Sequence, residues 1–202
     1  MEDVYFTISS ESKGFYAEKG SKFYAYIFPV ENEYSIKKIL LDLQKKYYNA
    51  RHIVYAYLTG YYQENFRVND AGEPANSAGM PILGQIKSNN LTNVLIVVVR
   101  YFGGTKLGIQ GLNNAYKSAA TDAISNAQII KKTINVFFQI TFDYSEMKFV
   151  QRVIKEHNLN VTSQEFADIC ILDFTGRKSV EVKIENIFKQ NPKIKFYKKC
   201  SE

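Results

Sequence analysis

Asn93 to Tyr116 reads NVLIVVVRYFGGTKLGIQGLNNAY, and this stretch decides the fold. Val94 to Val99 is an unbroken run of β-branched and aliphatic residues, too short for a membrane span. Such a run predicts a strand covered on both faces. Arg100 follows at once, then Gly103, Gly104, Lys106, Gly108 and Gly111. After Leu107 the period changes. Leu112, Tyr116, Ala119, Ala120, Ala123 and Ile124 recur at three- and four-residue spacing, as on one face of a helix. A buried strand therefore feeds a glycine-rich turn, and the turn feeds a long helix rich in small residues.

That arrangement has a chemical consequence. Glycines admit positive φ and close approach. A helix start offers unpaired N–H groups and a positive dipole end, which suits an anion. Arg100 and Lys106 add two positive charges, and no acidic residue occurs between Glu73 and Asp122. The stretch reads as a site for a phosphate-type anion formed by Arg100, Gly103, Gly104, Lys106, Gly108 and Gly111. The competing reading gives those glycines only a tight turn and close helix packing, because one glycine spacing is weak support for a ligand.

The 202 residues suffice for one large or two small domains. A 46% apolar share fits a folded protein, not a disordered one. The formal charge is +6, with 15 basic against 11 acidic residues up to Lys132 and 11 against 9 after it. This modest bias permits a polyanionic partner without requiring one, since a lysine-rich solvated surface would look the same. Cys170 and Cys200 show no metal or redox spacing, and no metal or cofactor is expected. With no signal-like N-terminus and no long apolar run, no membrane association is expected and the cytoplasm is the expected location.

Working outward toward the N-terminus, Val4–Ile8 predicts a strand and 13–21 a turn or bulge. Lys22–Val30 predicts a second strand, Glu33–Tyr48 a helix, and Ile53–Thr59 a central strand. His52, just before that strand, reads first as a hydrogen-bonded structural residue, since a working base needs a partner in reach. Asn69 to Gly72 is turn chemistry, and Asn76 or Ser77 is placed to cap a helix running to about Lys87. Asp70 and Glu73 are the two carboxylates here. They suit a divalent ion by type. The plainer reading has Asp70 capping the turn and Glu73 taking backbone N–H groups or pairing with Arg100.

Lys131 to Thr133 reads as a linker, dividing the chain into domains at 1–131 and 132–202. The remainder alternates: strand Ile134–Phe142, helix Ser145–Asn158 capped by Asp143 or Ser145, strands Asn160–Ala167 and Ile169–Thr175, helix Val180–Gln190, and strand Ile194–Tyr197. That βαββαβ order is the order of a ferredoxin-like domain. Its closing run of Lys193, Lys195, Lys198 and Lys199 reads as the protection of an edge strand, with phosphate contact as a second use. No catalytic constellation is visible in this half.

Asp70-Ala71-Gly72-Glu73-Pro74 with Ala78-Gly79 and Pro81-Ile82-Leu83, then Arg100-Tyr101-Phe102-Gly103-Gly104 with Lys106-Leu107-Gly108, Gly111-Leu112 and Ala115-Tyr116, resembles the Impact/YigZ family. The resemblance implies an α+β chain with an N-terminal ribosomal protein S5 domain 2-like fold and a C-terminal ferredoxin-like domain. That pair is similar to the last two domains of elongation factor G, which work against RNA on the ribosome. The chain departs from the family pattern at Ala71, where a second acid is usual, at Asn76 and Gln110, where glycines are usual, at Asn114, where an arginine is usual, and at Arg51-His52, where paired histidines are usual. The first departure weakens a metal-carboxylate mechanism, and the loss at Asn114 removes one charge from the anion site. The chain opens at the Impact domain, so the regulator-binding role of the extra domain in eukaryotic relatives is not expected of it.

The expected function is non-enzymatic binding of RNA or the ribosome through the phosphate backbone, in or near translation. Tyr61, Tyr62 and Tyr101 are candidates to stack on bases. The alternative is an enzyme acting on a phosphorylated small molecule or nucleotide, with His52, Asp70 and Glu73 as base and metal ligands. No nucleophile–base pair is visible in the sequence to support it. Oligomeric state is not readable from the chain.

Overall fold

The computed structural model describes residues 3–199, so Cys200 lies outside the described residues. The protein is α+β and divides into two compact units, one of residues 5–132 and the other of 133–199 with residues 3 and 4.

The first unit begins with β1 (Val4–Ile8), followed by β2 (Ser12–Glu18), β3 (Ser21–Pro29), α1 (Glu33–Lys46), β4 (His52–Thr59), β5 (Asn65–Asn69), α2 (Gly79–Ser88), β6 (Val94–Tyr101), α3 (Gly108–Ser125) and β7 (Ile129–Thr133). Five strands form an antiparallel sheet in the order β2-β3-β6-β4-β5. The Val-rich run is its central strand, buried from Val94 to Arg100 as the unbroken pattern predicts. Alternation on β6 then separates two cores. Val94, Ile96 and Val98 pack with Leu112, Ala115, Tyr116, Ala119, Ala120 and Ala123 of α3 and with Ile82, Leu83 and Ile86 of α2. Leu95 and Val97 face the other way, with Ile36 and Leu43 of α1. Arg100 continues the row of Val94, Ile96 and Val98, so the sheet carries its side chain to the α3 face. The register sets His52 on β4 and Phe23 on β3 directly beside it.

Three local expectations are corrected. The stretch 13–21 is β2 and a tight hairpin, not a turn or bulge throughout. Lys19 and Gly20 both have positive φ, which is the two-residue hairpin turn that matches strand twist. Gly14 made that strand hard to read, and its bare backbone is what lets α3 approach: a Cβ there would lie 2.2 Å from the Ala123 nitrogen. Lys131 to Thr133 is no linker, because it belongs to β7, which pairs with β1. Neither Asn76 nor Ser77 caps α2, whose first residue follows Ala78 with no side-chain cap from that residue. β5 escaped sequence reading because it is an edge strand with four of its five residues exposed.

The second unit runs β8 (Asn135–Phe142), α4 (Met147–Glu156), β9 (Asn160–Phe166), β10 (Cys170–Arg177), α5 (Glu181–Lys189) and β11 (Ile194–Lys199). Its antiparallel sheet has the order β11-β8-β10-β9, the ferredoxin-like arrangement. Phe138, Ile140, Phe142, Leu172 and Phe174 meet Val150, Val153, Ile184 and Phe188 in one core, which also takes Cys170. A turn of 3-10 helix over Tyr144–Glu146 leads into α4, and neither Asp143 nor Ser145 supplies the expected side-chain cap. The lysines of the closing run are largely engaged: Lys199 pairs with Asp173 at 2.8 Å, Lys193 with Glu146 at 3.4 Å, and Lys198 with Glu181. Asp3 belongs here as well. Its carbonyl accepts from the Ile134 N–H at 2.7 Å and its carboxylate from the Ser179 hydroxyl at 2.6 Å.

Candidate functional site

The Asp70–Glu73 segment is a β-turn closed by the Glu73 N–H on the Asp70 carbonyl at 2.9 Å, with Ala71 and Gly72 both at positive φ. Asn69 secures it by accepting from the Ala71 N–H at 2.7 Å. Asp70 then anchors the start of α2 from outside the helix. One of its oxygens accepts from the Ala78 and Gly79 N–H groups at 3.1 and 2.8 Å, and the other from Asn76 at 2.9 Å. Such unpaired N–H groups are what any helix start presents. Both oxygens of Asp70 therefore accept from backbone N–H groups, the role that the plainer reading of this residue gives it. Among the described residues no group of three or more His, Cys, Asp or Glu side chains is placed to hold a metal ion.

The turn delivers Glu73 to Arg100. The Arg100 Nη1 donates to Glu73 Oε1 at 2.5 Å, and the Tyr116 hydroxyl donates to the same oxygen at 2.7 Å. The Glu73 and Arg100 side chains are 4% and 6% exposed. A buried charge needs a partner and hydrogen bonds, and this trio supplies both. Burial, then the adjacent Glu73 charge, pushes the Tyr116 phenol well above its usual pKa, so Tyr116 is a fixed donor. The Arg100 guanidinium is also flanked by the rings of Phe23 and Phe102, 5.5 and 5.7 Å from its carbon. Its Nε is buried with no partner.

His52 completes the cluster. Its Nδ1 lies 2.8 Å from the Ala71 carbonyl oxygen, which only accepts, so Nδ1 carries the proton. In the neutral ring Nε2 is then an acceptor, and it sits 3.8 Å from Glu73 Oε1.

These side chains form the inner wall of a cavity of about 670 Å³ lined by Arg51, His52, Glu73, Pro74, Arg100, Phe102, Lys106, Leu107, Gly108, Ile109 and Leu112. Its floor is polar, with Glu73 and Arg100 paired to each other. Its mouth holds the exposed cations Arg51 and Lys106, neither in an ion pair among the described residues, and an α3 start with no side-chain cap and no acidic residue in its first turn.

The glycines of the turn fall into two groups. A Cβ on Gly103 would lie 1.9 Å from the Gly20 carbonyl carbon, and the Gly103 N–H donates to Ser21 Oγ at 3.1 Å. Gly103 is thus a packing residue whose N–H is already used, not an anion donor. Gly111 lies within α3, where a Cβ would meet the Leu107 Cβ at 2.9 Å. Gly104 and Gly108 differ, with φ of +90° and +71° and nothing within 4 Å of a Cβ position. Of these two, Gly108 lines the cavity. Arg100, expected to meet phosphate, is instead 5% exposed and neutralised by Glu73.

Sequence reading passed over Arg51, Phe102 and Tyr116 as site residues. For Tyr116 a signal existed: a lone hydroxyl on the alanine-rich buried face of a helix needs a buried acceptor. Tyr61 and Tyr62, offered as stacking residues, do not line the cavity, and Tyr101 donates its hydroxyl to Asn49. Phe102, 51% exposed, does line it.

Residues 19–124 match the family described as the Impact N-terminal domain, which spans the whole cluster and the cavity. The chain belongs to the Impact family. It is similar to IMPACT family member YvyE of Bacillus subtilis, 28% identical over 156 residues covering 77% of this chain and 72% of that protein. It is also similar to an IMPACT family member of Haemophilus influenzae, 29% identical over 166 residues covering 81% of each. A shorter match, 45% identical over 78 residues and 39% of this chain, is to an IMPACT family member of Thermus thermophilus. Among solved structures, one described as a hypothetical protein shares the fold along the whole of both chains, with a TM-score of 0.73 at 18% identity. Among the described residues no helix is long and apolar enough to cross a membrane.

Proposed function

We propose that this Impact-family protein binds RNA through its phosphate backbone, beside the translation apparatus and without chemistry of its own. One observation carries the reading. Glu73, the one carboxylate lining the cavity among the described residues, is consumed by Arg100 and Tyr116, so the positive charges of Arg51 and Lys106 at the mouth stand uncancelled next to an open helix start. Such a surface favours phosphate and supplies affinity and position more than sequence reading. Exposed Phe102 adds a ring on which an unpaired base stacks. The link to translation rests on the resemblance of the two domains to the last two of elongation factor G.

The test is binding to single-stranded RNA, transfer RNA and ribosomes across a salt series. Wild-type affinity is expected to fall steeply with salt. Arg51→Ala with Lys106→Ala is expected to flatten the log–log slope by about 1 to 2, since each phosphate neutralised on a single strand contributes roughly 0.7. An unchanged slope in the double variant overturns the reading.

A second reading is an enzyme acting on a phosphorylated small molecule. The bare Nε2 of His52 beside a cavity of nucleotide size favours it. A mononucleotide panel decides: saturable binding of a nucleotide with no response to RNA would select this reading over the first.

A further inference from the structure

The RNA reading leaves unused the most specific feature of the cavity, the fixed orientation of His52. From it we infer that His52 recognises the ribose 2′-hydroxyl of an unpaired nucleotide, and that the cavity thereby distinguishes RNA from DNA. The inference rests on the proposed RNA binding and names what that site reads.

Three groups around the cavity ask for three different parts of one ligand. Arg51, Lys106 and the start of α3 ask for a phosphate. Phe102, half exposed with the Arg100 guanidinium 5.7 Å from its ring, offers the rest of its surface to a flat ring. His52 asks for a hydrogen-bond donor. Its Nδ1 is held by the Ala71 carbonyl, so in the neutral ring only Nε2 remains, and Nε2 can only accept. Glu73 Oε1, 3.8 Å away, is also an acceptor and already takes hydrogens from Arg100 and Tyr116. Two acceptors at that separation do not satisfy each other, and a donor placed at Nε2 completes the cluster.

The donor that suits this position is a hydroxyl. Within a polynucleotide the 3′ and 5′ oxygens are esterified to phosphate. The 2′-hydroxyl is therefore the one free sugar hydroxyl beside a backbone phosphate, and it is the group by which proteins tell RNA from DNA. A cavity of about 670 Å³ has room for one nucleotide with its phosphate. The occupant must be unpaired, since a base reaches Phe102 only when it leaves its stack. At the same wall the Arg100 Nε is buried with no hydrogen-bond partner, although the charge of the guanidinium is met by Glu73.

The experiment compares four single strands of one mixed sequence, about 12 nucleotides long to cover a typical single-strand site, with ribose, 2′-deoxy, 2′-fluoro or 2′-O-methyl sugars. The 2′-fluoro strand keeps a ribose-like pucker and removes only the donor. Wild type is expected to bind the ribose strand about tenfold tighter than each of the others, the effect of one hydrogen bond to a buried acceptor. In His52→Ala the ribose-to-fluoro ratio is expected to fall to about one, the wild-type discrimination disappearing with the acceptor. Equal wild-type affinity for the ribose and 2′-fluoro strands overturns the inference and leaves RNA binding standing. An undiminished ratio in His52→Ala overturns it equally. Failure of wild type to bind any of the four strands overturns the RNA reading itself, and the inference with it.

Discussion

Tyr116 donates its hydroxyl to Glu73 at 2.7 Å from the fully buried face of α3, onto the same oxygen that holds Arg100. The pair joins the helix to the Asp70–Glu73 turn and makes a buried carboxylate tolerable. Removing it has calculable consequences. Glu73→Ala leaves the Arg100 charge buried without a counter-charge, a destabilisation of about 3–5 kcal/mol. Tyr116→Phe removes one hydrogen bond to a charged group and is expected to cost about 1.5–3 kcal/mol. Urea denaturation of both variants, followed by a probe of the first unit, checks the order. A Glu73→Ala cost no larger than that of Tyr116→Phe would show that Arg100 finds another partner.

Two neighbouring glycines are expected to respond differently to alanine. Gly103→Ala forces a methyl into the Gly20–Ser21 backbone at 1.9 Å, where neither side can yield without moving the β2–β3 hairpin. Gly104→Ala meets no atom and is penalised only by its φ of +90°, by about 1–2 kcal/mol. Thermal melting is expected to show a severe drop for Gly103→Ala and a mild one for Gly104→Ala. Comparable melting temperatures would contradict this division of labour.

These sites also show what the sequence could and could not reveal. The central strand, the long helix and the ferredoxin-like order were legible because each rests on periodicity, a local property of the chain. β5 was not, since an exposed edge strand carries no apolar pattern, and β2 was hidden because Gly14 serves α3 and not its own strand. The same distinction governs the site. That Glu73 can pair with Arg100 was readable from charge alone. That Arg100 is thereby withdrawn from solvent, leaving Arg51 and Lys106 as the exposed cations, follows only from the β3-β6-β4 register. No spacing along the chain encodes it.

In the second unit, Glu181 takes part in an acid-sensitive interaction. Burial raises its pKa, but Lys178 and Lys198 together outweigh burial, and the net shift is downward from 4.5. A depressed carboxylate contributes stability above its unfolded pKa and loses it as pH falls through the folded value. The melting temperature of Glu181→Gln is therefore expected to lie below that of wild type at neutral pH, with the gap closing progressively below pH 4.5. A gap that stays constant down to strongly acidic pH would mean that the charge of Glu181 contributes nothing.

Asp70→Asn separates a structural carboxylate from a metal-binding one. The asparagine oxygen can replace the oxygen that accepts from Ala78 and Gly79, but its amide nitrogen would face the Asn76 N–H, donor against donor. The substitution removes one hydrogen bond and sets a repulsion in its place, so the expected cost is about 1–3 kcal/mol. The Glu73 turn is expected to loosen with it, because the Asp70 carbonyl closes that turn while its carboxylate ties the same residue to Asn76 and the start of α2. Denaturation midpoints measured with and without millimolar magnesium check the assignment. The wild-type midpoint is expected to ignore the ion, and the variant midpoint to fall by the same amount in both conditions. A wild-type protein stabilised by magnesium, with the stabilisation abolished in Asp70→Asn, would instead return Asp70 to the role of ligand and make its hydrogen bonds to the backbone secondary.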